Sequence, residues 1–436
     1  MKKERQRRIK MIALLFIIFI VCLAMKVPVA FSLGISSLVY FLGTGMSLYM
    51  YTQRFFAGLN SFTLLCIPGF VLCGSLMNQG DLTSKLIGFV NKIVGHITGG
   101  LAIANVGVSM LFAGISGTAL ADTVSVGGVL IPAMKKEKYD ADFSCAVTAA
   151  SSCIGPIIPP SVPMIIAATQ CNLSVSKMFM AGMIPGILMG VGMIGVAYVI
   201  SKKRHYPKSE RRATLKELLR EGKDSFFALL MVVIILGTIW GGICTPTEAS
   251  VLAVIYGAFI GMFVYKSLDL KGLIKCMKDC VVSSAAIMAL VGFANVFAYI
   301  LTKEQIPQMV ADGMLSLTTN KYILLILINI LLLFVGMFME TIAAILILFP
   351  VLLGVVTTVG VDPMQFGILC VLNLVIGLCT PPVGVCLFAA TNIGETKLTG
   401  VIRELVPFVI SNMIVLLLVT FVPAITVGFS NFVMGA

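Results

Sequence analysis

Two stretches, Gly114 to Pro132 and Ser151 to Pro163, constrain this chain more than any other part of it. Both lie in strongly apolar sequence, yet both are rich in Gly, Pro, Ser and Thr, and the first carries an acid, Asp122. Proline removes a backbone donor and glycine weakens a helix, so a helix running through either stretch is interrupted. In a bilayer the groups freed by a break find no water, so breaks persist only where protein or a polar solute covers them. The pair then recurs. Asp122-Thr123 and Pro132 correspond to Glu340-Thr341 and Pro350 at an offset of 218, each after a Leu-Phe-x-Gly approach, Leu111 to Gly114 and Leu333 to Gly336. Ile154-Gly155, Pro159-Pro160 and Ala167 to Thr169 correspond to Ile376-Gly377, Pro381-Pro382 and Ala389 to Thr391 at an offset of 222. Matched interruptions in two halves mark the binding site of a secondary transporter.

The medium follows from composition. With 59% hydrophobic and 11% charged residues, the chain belongs to the membrane class rather than to soluble domains. Nearly all of its net charge of +12 sits in Lys2 to Lys10 and Lys202 to Lys223, a topological signature and not a nucleic-acid patch. The 12 cysteines form no CxxC pair or Cys/His cluster, which predicts free thiols and no metal beyond sodium. The basic start followed by Met11 to Ala24 reads as a retained first membrane segment.

The periodicity predicts an all-α polytopic membrane protein with about six elements per half. Pro28 either kinks one long span or divides Met11 to Leu42 into two elements, and Pro246 takes its place in the second half. After Ser61 to Met77 we expect a loop holding Asp81, Lys85, Lys92 and His96. The arms around the Gly114 turn are each shorter than the roughly 20 residues of a full span, predicting a re-entrant hairpin over about 101–134. A discontinuous helix over about 143–169 follows, and the second half repeats both over about 322–356 and 366–391. Glu248, after Pro246, reads as a helix cap. Lysines are rich in 266–278 and 135–138 but sparse in the corresponding 44–58 and 351–365, which predicts inverted repeats. The basic connector 202–223 joins the halves.

These motifs resemble a known family. Gly114-x-Ser116-Gly117-x-Ala119-x-Ala121-Asp122-Thr123, Ile154 to Ser161 and Ala181-Gly182-x-x-Pro185-Gly186 are similar to the large membrane subunit of tripartite ATP-independent periplasmic (TRAP) transporters. Cys244 to Ala249, Asp362-Pro363 and Gly377-x-x-Thr380 to Gly384 extend the likeness over nearly the whole chain. The resemblance implies sodium-coupled uptake of an organic acid of dicarboxylate, sialate or sugar-acid type across the bacterial cytoplasmic (inner) membrane. It further implies a small membrane subunit and a soluble extracytoplasmic substrate-binding protein as partners. It implies an elevator too, with a mobile domain of 62–170 and 286–395 sliding past a scaffold of 1–61, 171–285 and 396–436.

Sodium needs several oxygens, and broken helices supply carbonyls with hydroxyls close by. The expected ion ligands are Ser116, Gly117, Thr118, Asp122, Gly155 and Pro159 in the first half. In the second they are Gly336, Glu340, Thr341, Gly377, Thr380 and Gly384. Half-helix N-termini suit a carboxylate. Ser116, Thr123, Pro160, Ser161, Thr341, Pro381 and Pro382 are therefore the expected substrate contacts. Asp122 and Glu340 also suit helix caps. No catalytic residue or organic cofactor is expected, because HExxH, GxSxG and paired intramembrane aspartates are absent. A stand-alone sodium/dicarboxylate or anion symporter of related fold is the alternative.

Overall fold

A computed structural model describes residues 2–170, 172–208, 212–318 and 320–434. Among the described residues there is no strand, and seven helices are long and apolar enough to cross a membrane. The first half contains α1 (Lys2–Ala24), α2 (Val29–Thr44), α3 (Leu48–Leu59), α4 (Cys66–Gln79) and α5 (Leu82–Val94). It continues with α6 (Gly100–Ser116), α7 (Ala119–Lys136), α8 (Ala141–Ser151), α9 (Val162–Gln170) and α10 (Val175–Lys203). The second half contains α11 (Leu215–Trp240), α12 (Pro246–Phe259), α13 (Leu270–Lys303), α14 (Ile306–Leu317) and α15 (Lys321–Gly336). It ends with α16 (Thr341–Thr358), α17 (Pro363–Gly377), α18 (Val385–Gly394), α19 (Leu398–Phe421) and α20 (Val427–Met434).

Local chemistry starts these helices. The Thr245 hydroxyl accepts from Glu248 N while Glu248 Oε2 accepts from Thr245 N at 2.8 Å, a capping box with Pro246 at the first helical position. Asp362 caps α17 by accepting from Met364 N at 2.7 Å, with Pro363 at the first position. Pro28 precedes α2, so Met11 to Leu42 is two helices and not one kinked span.

Packing sorts the helices into two bodies. Helices α1 to α4 pack with α11 to α13, while α6 to α10 pack with α15 to α19. In the second body the halves interlock: α18 lies against α7 and α8, and α9 against α16 and α17. Two expectations change here. Residues 82–94, expected as a loop, form the amphipathic α5, whose Leu82, Leu86, Ile87 and Val90 are buried while its charged positions punctuate the other face. Its counterpart α14 was not anticipated. Both span the two bodies, α5 touching α11 and α6, and α14 touching α13 and α16. Helices α10 and α19, placed above in the scaffold, pack on α6, α8 and α17.

Candidate functional site

The first hairpin turn is built to touch the first broken helix. Helix α6 ends at Ser116, Gly117 follows at φ 61°, and the extended Thr118 is the N-cap of α7. A Cβ on Gly117 would lie 2.7 Å from the Pro160 carbonyl oxygen, so only glycine permits both this φ and this approach. Gly155 comes near the Thr118 carbonyl, less closely: a Cβ there would be 3.3 Å from that oxygen. The second half repeats the contact, where a Cβ on Gly377 would sit 2.6 Å from Gly336 Cα. The peptide bonds Pro159-Pro160 and Pro381-Pro382 are both cis. The breaks differ in cover, however. Residues 151–168 are buried throughout, whereas Pro382 and Val383 are exposed.

The two acids at matched positions have different surroundings. Glu340 is the N-cap of α16, its Oε2 accepting from Ile342 N at 3.0 Å and Ala343 N at 3.2 Å. Asp122 lies one turn inside α7, fully buried, and Thr118 occupies the cap position in its place. Ser109 Oγ donates to Asp122 Oδ2 at 2.8 Å, and Oδ1 has no hydrogen bond among the described residues. The Ser151 hydroxyl lies 3.1 Å from Ser109 Oγ and 3.2 Å from Asn105 Oδ1, extending a buried polar chain from α8 through α6 to α7. At the position matching Ser151 the second half has Asn373, whose amide donates to the Asn329 carbonyl at 2.9 Å. An isolated buried carboxylate is costly unless a positive charge or further donors face it. Among the described residues no ion pair supplies one to Asp122.

A cavity of about 350 Å³ opens between the bodies. Its walls include the first residues of three helices: Ala119 and Leu120 of α7, Thr341 and Ile342 of α16, and Val385 and Cys386 of α18. Helix starts carry unbonded amides and the positive dipole end, which together favour an anion. Thr341 Oγ1, in a residue 1% exposed, also has no hydrogen-bond partner among the described residues. Across the cavity stands α13, through Ser283, Ala286, Ile287 and Leu290.

Of the residues singled out from sequence, Thr118, Glu340 and Thr341 line this cavity. Gly117, Gly155, Pro160, Gly336 and Gly377 form the turn-to-break contacts, and Pro159, Pro381, Pro382 and Gly384 belong to the breaks themselves. Three hydroxyls are otherwise engaged. Thr123 Oγ1 donates to the Ala119 carbonyl at 3.0 Å, Ser161 Oγ to the Pro156 carbonyl at 2.5 Å, and Thr380 Oγ1 to the Ile376 carbonyl at 2.7 Å. The Ser116 side chain lies outside the described residues. Sequence reasoning missed the α13 wall, whose apolar residues are indistinguishable from lipid-facing ones without the fold.

A family model described as "Tripartite ATP-independent periplasmic transporter, DctM component" matches residues 16–425. The chain is 40% identical over 412 residues to the sialic acid TRAP transporter large permease protein SiaM of Vibrio cholerae, covering 94% of this chain and 96% of that one. It is 39% identical to the isethionate TRAP transporter permease protein DctMQ of Oleidesulfovibrio alaskensis, covering 96% of this chain and 66% of that one. Among solved structures the YdaH transporter of Alcanivorax borkumensis shares the fold, with a TM-score of 0.63 at 16% identity over 85% of this chain and 87% of that one. These relatives are permeases and not enzymes, and the chain itself, a multi-pass membrane protein, belongs to the tripartite ATP-independent periplasmic transporter family as a large permease protein.

Proposed function

We propose that this permease takes up an organic acid together with sodium across the bacterial inner membrane. A soluble extracytoplasmic binding protein delivers the acid, and a small membrane subunit completes the transporter. The observation that carries this reading is the convergence of three helix starts, drawn from both halves, on one cavity between the two packed bodies. The acid group sits against the α7, α16 and α18 starts. Sodium sits beside it, where the turns at Gly117 and Gly336 meet the breaks and where Asp122 keeps a bare oxygen. The relatives named for sialic acid and isethionate favour an organic anion as cargo. The body containing α6 to α10 and α15 to α19 moves against the rest as an elevator, with α5 and α14 as its arms.

Thermal unfolding of the purified chain, titrated with sodium or potassium chloride at matched ionic strength, tests the coupling. A cation bound only by the folded state stabilises it by about 2.7 kcal/mol at one hundred times its Kd. Saturable stabilisation by sodium alone is expected. Identical curves in the two salts would remove sodium from the mechanism.

A further inference from the structure

We infer that the acid accepted by this cavity is a monoanion with a compact apolar body, an inference that rests on the cavity being the substrate site. Donors for an anion are few in this lining. The α7 start, the first amide of α18 and the Thr341 hydroxyl provide donors for one acid group, while Glu340 takes the Ile342 and Ala343 amides of α16. The rest of the lining is largely apolar and includes Ala286, Ile287 and Leu290 of α13 and Leu378. Among the described residues no Lys, Arg or His lines the cavity, and the one charged side chain in the lining is Glu340.

Each class of cargo meets this wall differently. A second carboxylate would enter a space whose described lining holds no cation to receive it, an arrangement that costs more in a low-dielectric site than in water. A polyhydroxylated body would strip water from several hydroxyls, with only Ser283 among the α13 wall residues to replace it. Each hydroxyl buried without a partner weakens binding. An alkyl or aryl body loses nothing of that kind and gains from every methylene it buries. Ile287 and Leu290, on the helix facing the three N-termini, are thus the residues that set selectivity for the body of the substrate.

The test uses the full chain and three probes, 4-methylpentanoate, succinate and N-acetylneuraminate, each titrated in sodium and in potassium while thermal unfolding is followed. Saturable stabilisation by 4-methylpentanoate in sodium, with none from the other two acids, is expected. Stabilisation by succinate or N-acetylneuraminate but not by 4-methylpentanoate overturns the apolar-monoanion assignment and leaves sodium-coupled acid transport standing. No response to any acid, or equal responses in potassium, removes the cavity as an acid site and takes the broader reading with it. Ile287→Ala, a mild truncation, should raise half-saturation by 4-methylpentanoate about fivefold through lost apolar contact while leaving the sodium midpoint unchanged. Unchanged half-saturation in both Ile287→Ala and Leu290→Ala would overturn the role given to α13.

Discussion

At the scale of single residues, repetition in sequence and equivalence in chemistry separate. Asp122 and Glu340 occupy matched positions, yet Glu340 spends Oε2 on two backbone amides while Asp122 caps nothing and keeps one oxygen bare. Glu340→Gln retains an acceptor for those amides and should leave sodium stabilisation intact, while Glu340→Ala should cost about 1 kcal/mol as a lost cap. Asp122→Asn should abolish the sodium response with little effect on folding, since Ser109 can still donate to it. Thermal unfolding of the three variants in sodium and potassium checks this asymmetry, and an unaltered sodium midpoint in Asp122→Asn would remove Asp122 as a ligand. Gly377→Ala should destabilise by about 1–3 kcal/mol, because its Cβ would meet the Gly336 backbone, which cannot rotate away. Gly128→Ala, with nothing near its Cβ, is the matched control and should change stability by no more than about 1 kcal/mol. The repeat and the breaks were legible because Gly and Pro act locally. The unequal roles of the two acids were not, because they depend on Ser109 and Ser151 arriving from other helices.

Elements were legible where they were continuously apolar and illegible where they were amphipathic. Residues 82–94 read as a loop because Lys85 and Lys92 interrupt the hydropathy, yet one face of α5 is buried against α11 and α6. Both bridging helices begin on a left-handed residue that is not glycine, Asp81 at φ 60° before α5 and Gln305 at φ 56° before α14. Glycine holds that conformation without the steric cost of a Cβ. Another joint lies where α8 begins and α10 ends. Arg204 bonds both carboxylate oxygens of Glu404 at 2.7 Å and Asp140 Oδ2 at 3.0 Å, and the Tyr206 hydroxyl donates to Asp140 at 2.6 Å. Burial first, and then the bond to Asp140, push the Tyr206 phenol up to about 12 from its ordinary 10.0. A raised folded value means the phenol's contribution is complete below pH 10 and is lost as pH rises through about 12. Tyr206→Phe should therefore lose thermal stability less steeply over that alkaline window than the parent, a difference read from unfolding temperatures at stepped pH.

The whole molecule divides along packing rather than along chain order. Helices α9 and α10, on either side of the boundary placed at residue 171, pack on each other, and α10 also touches α19. The cavity lies where the two bodies meet, so the sliding proposed for them would also govern access to the cavity. Three positions on its lining separate a moving body from a fixed pore: Ser283 on α13, and Leu120 and Val385 on α7 and α18, which pack together in the other body. A short bis-thiol reagent joining Ser283→Cys to Val385→Cys should stop sodium-driven uptake, with recovery on reduction, and should leave stabilisation by sodium in place. The same reagent joining Leu120→Cys to Val385→Cys ties residues within one body and should leave uptake largely intact. Uptake that survives the first tether would mean the cargo crosses without the bodies sliding. Loss under both tethers would mean the hairpin start at α7 must itself part from α18, placing the moving element within the core rather than between the two bodies.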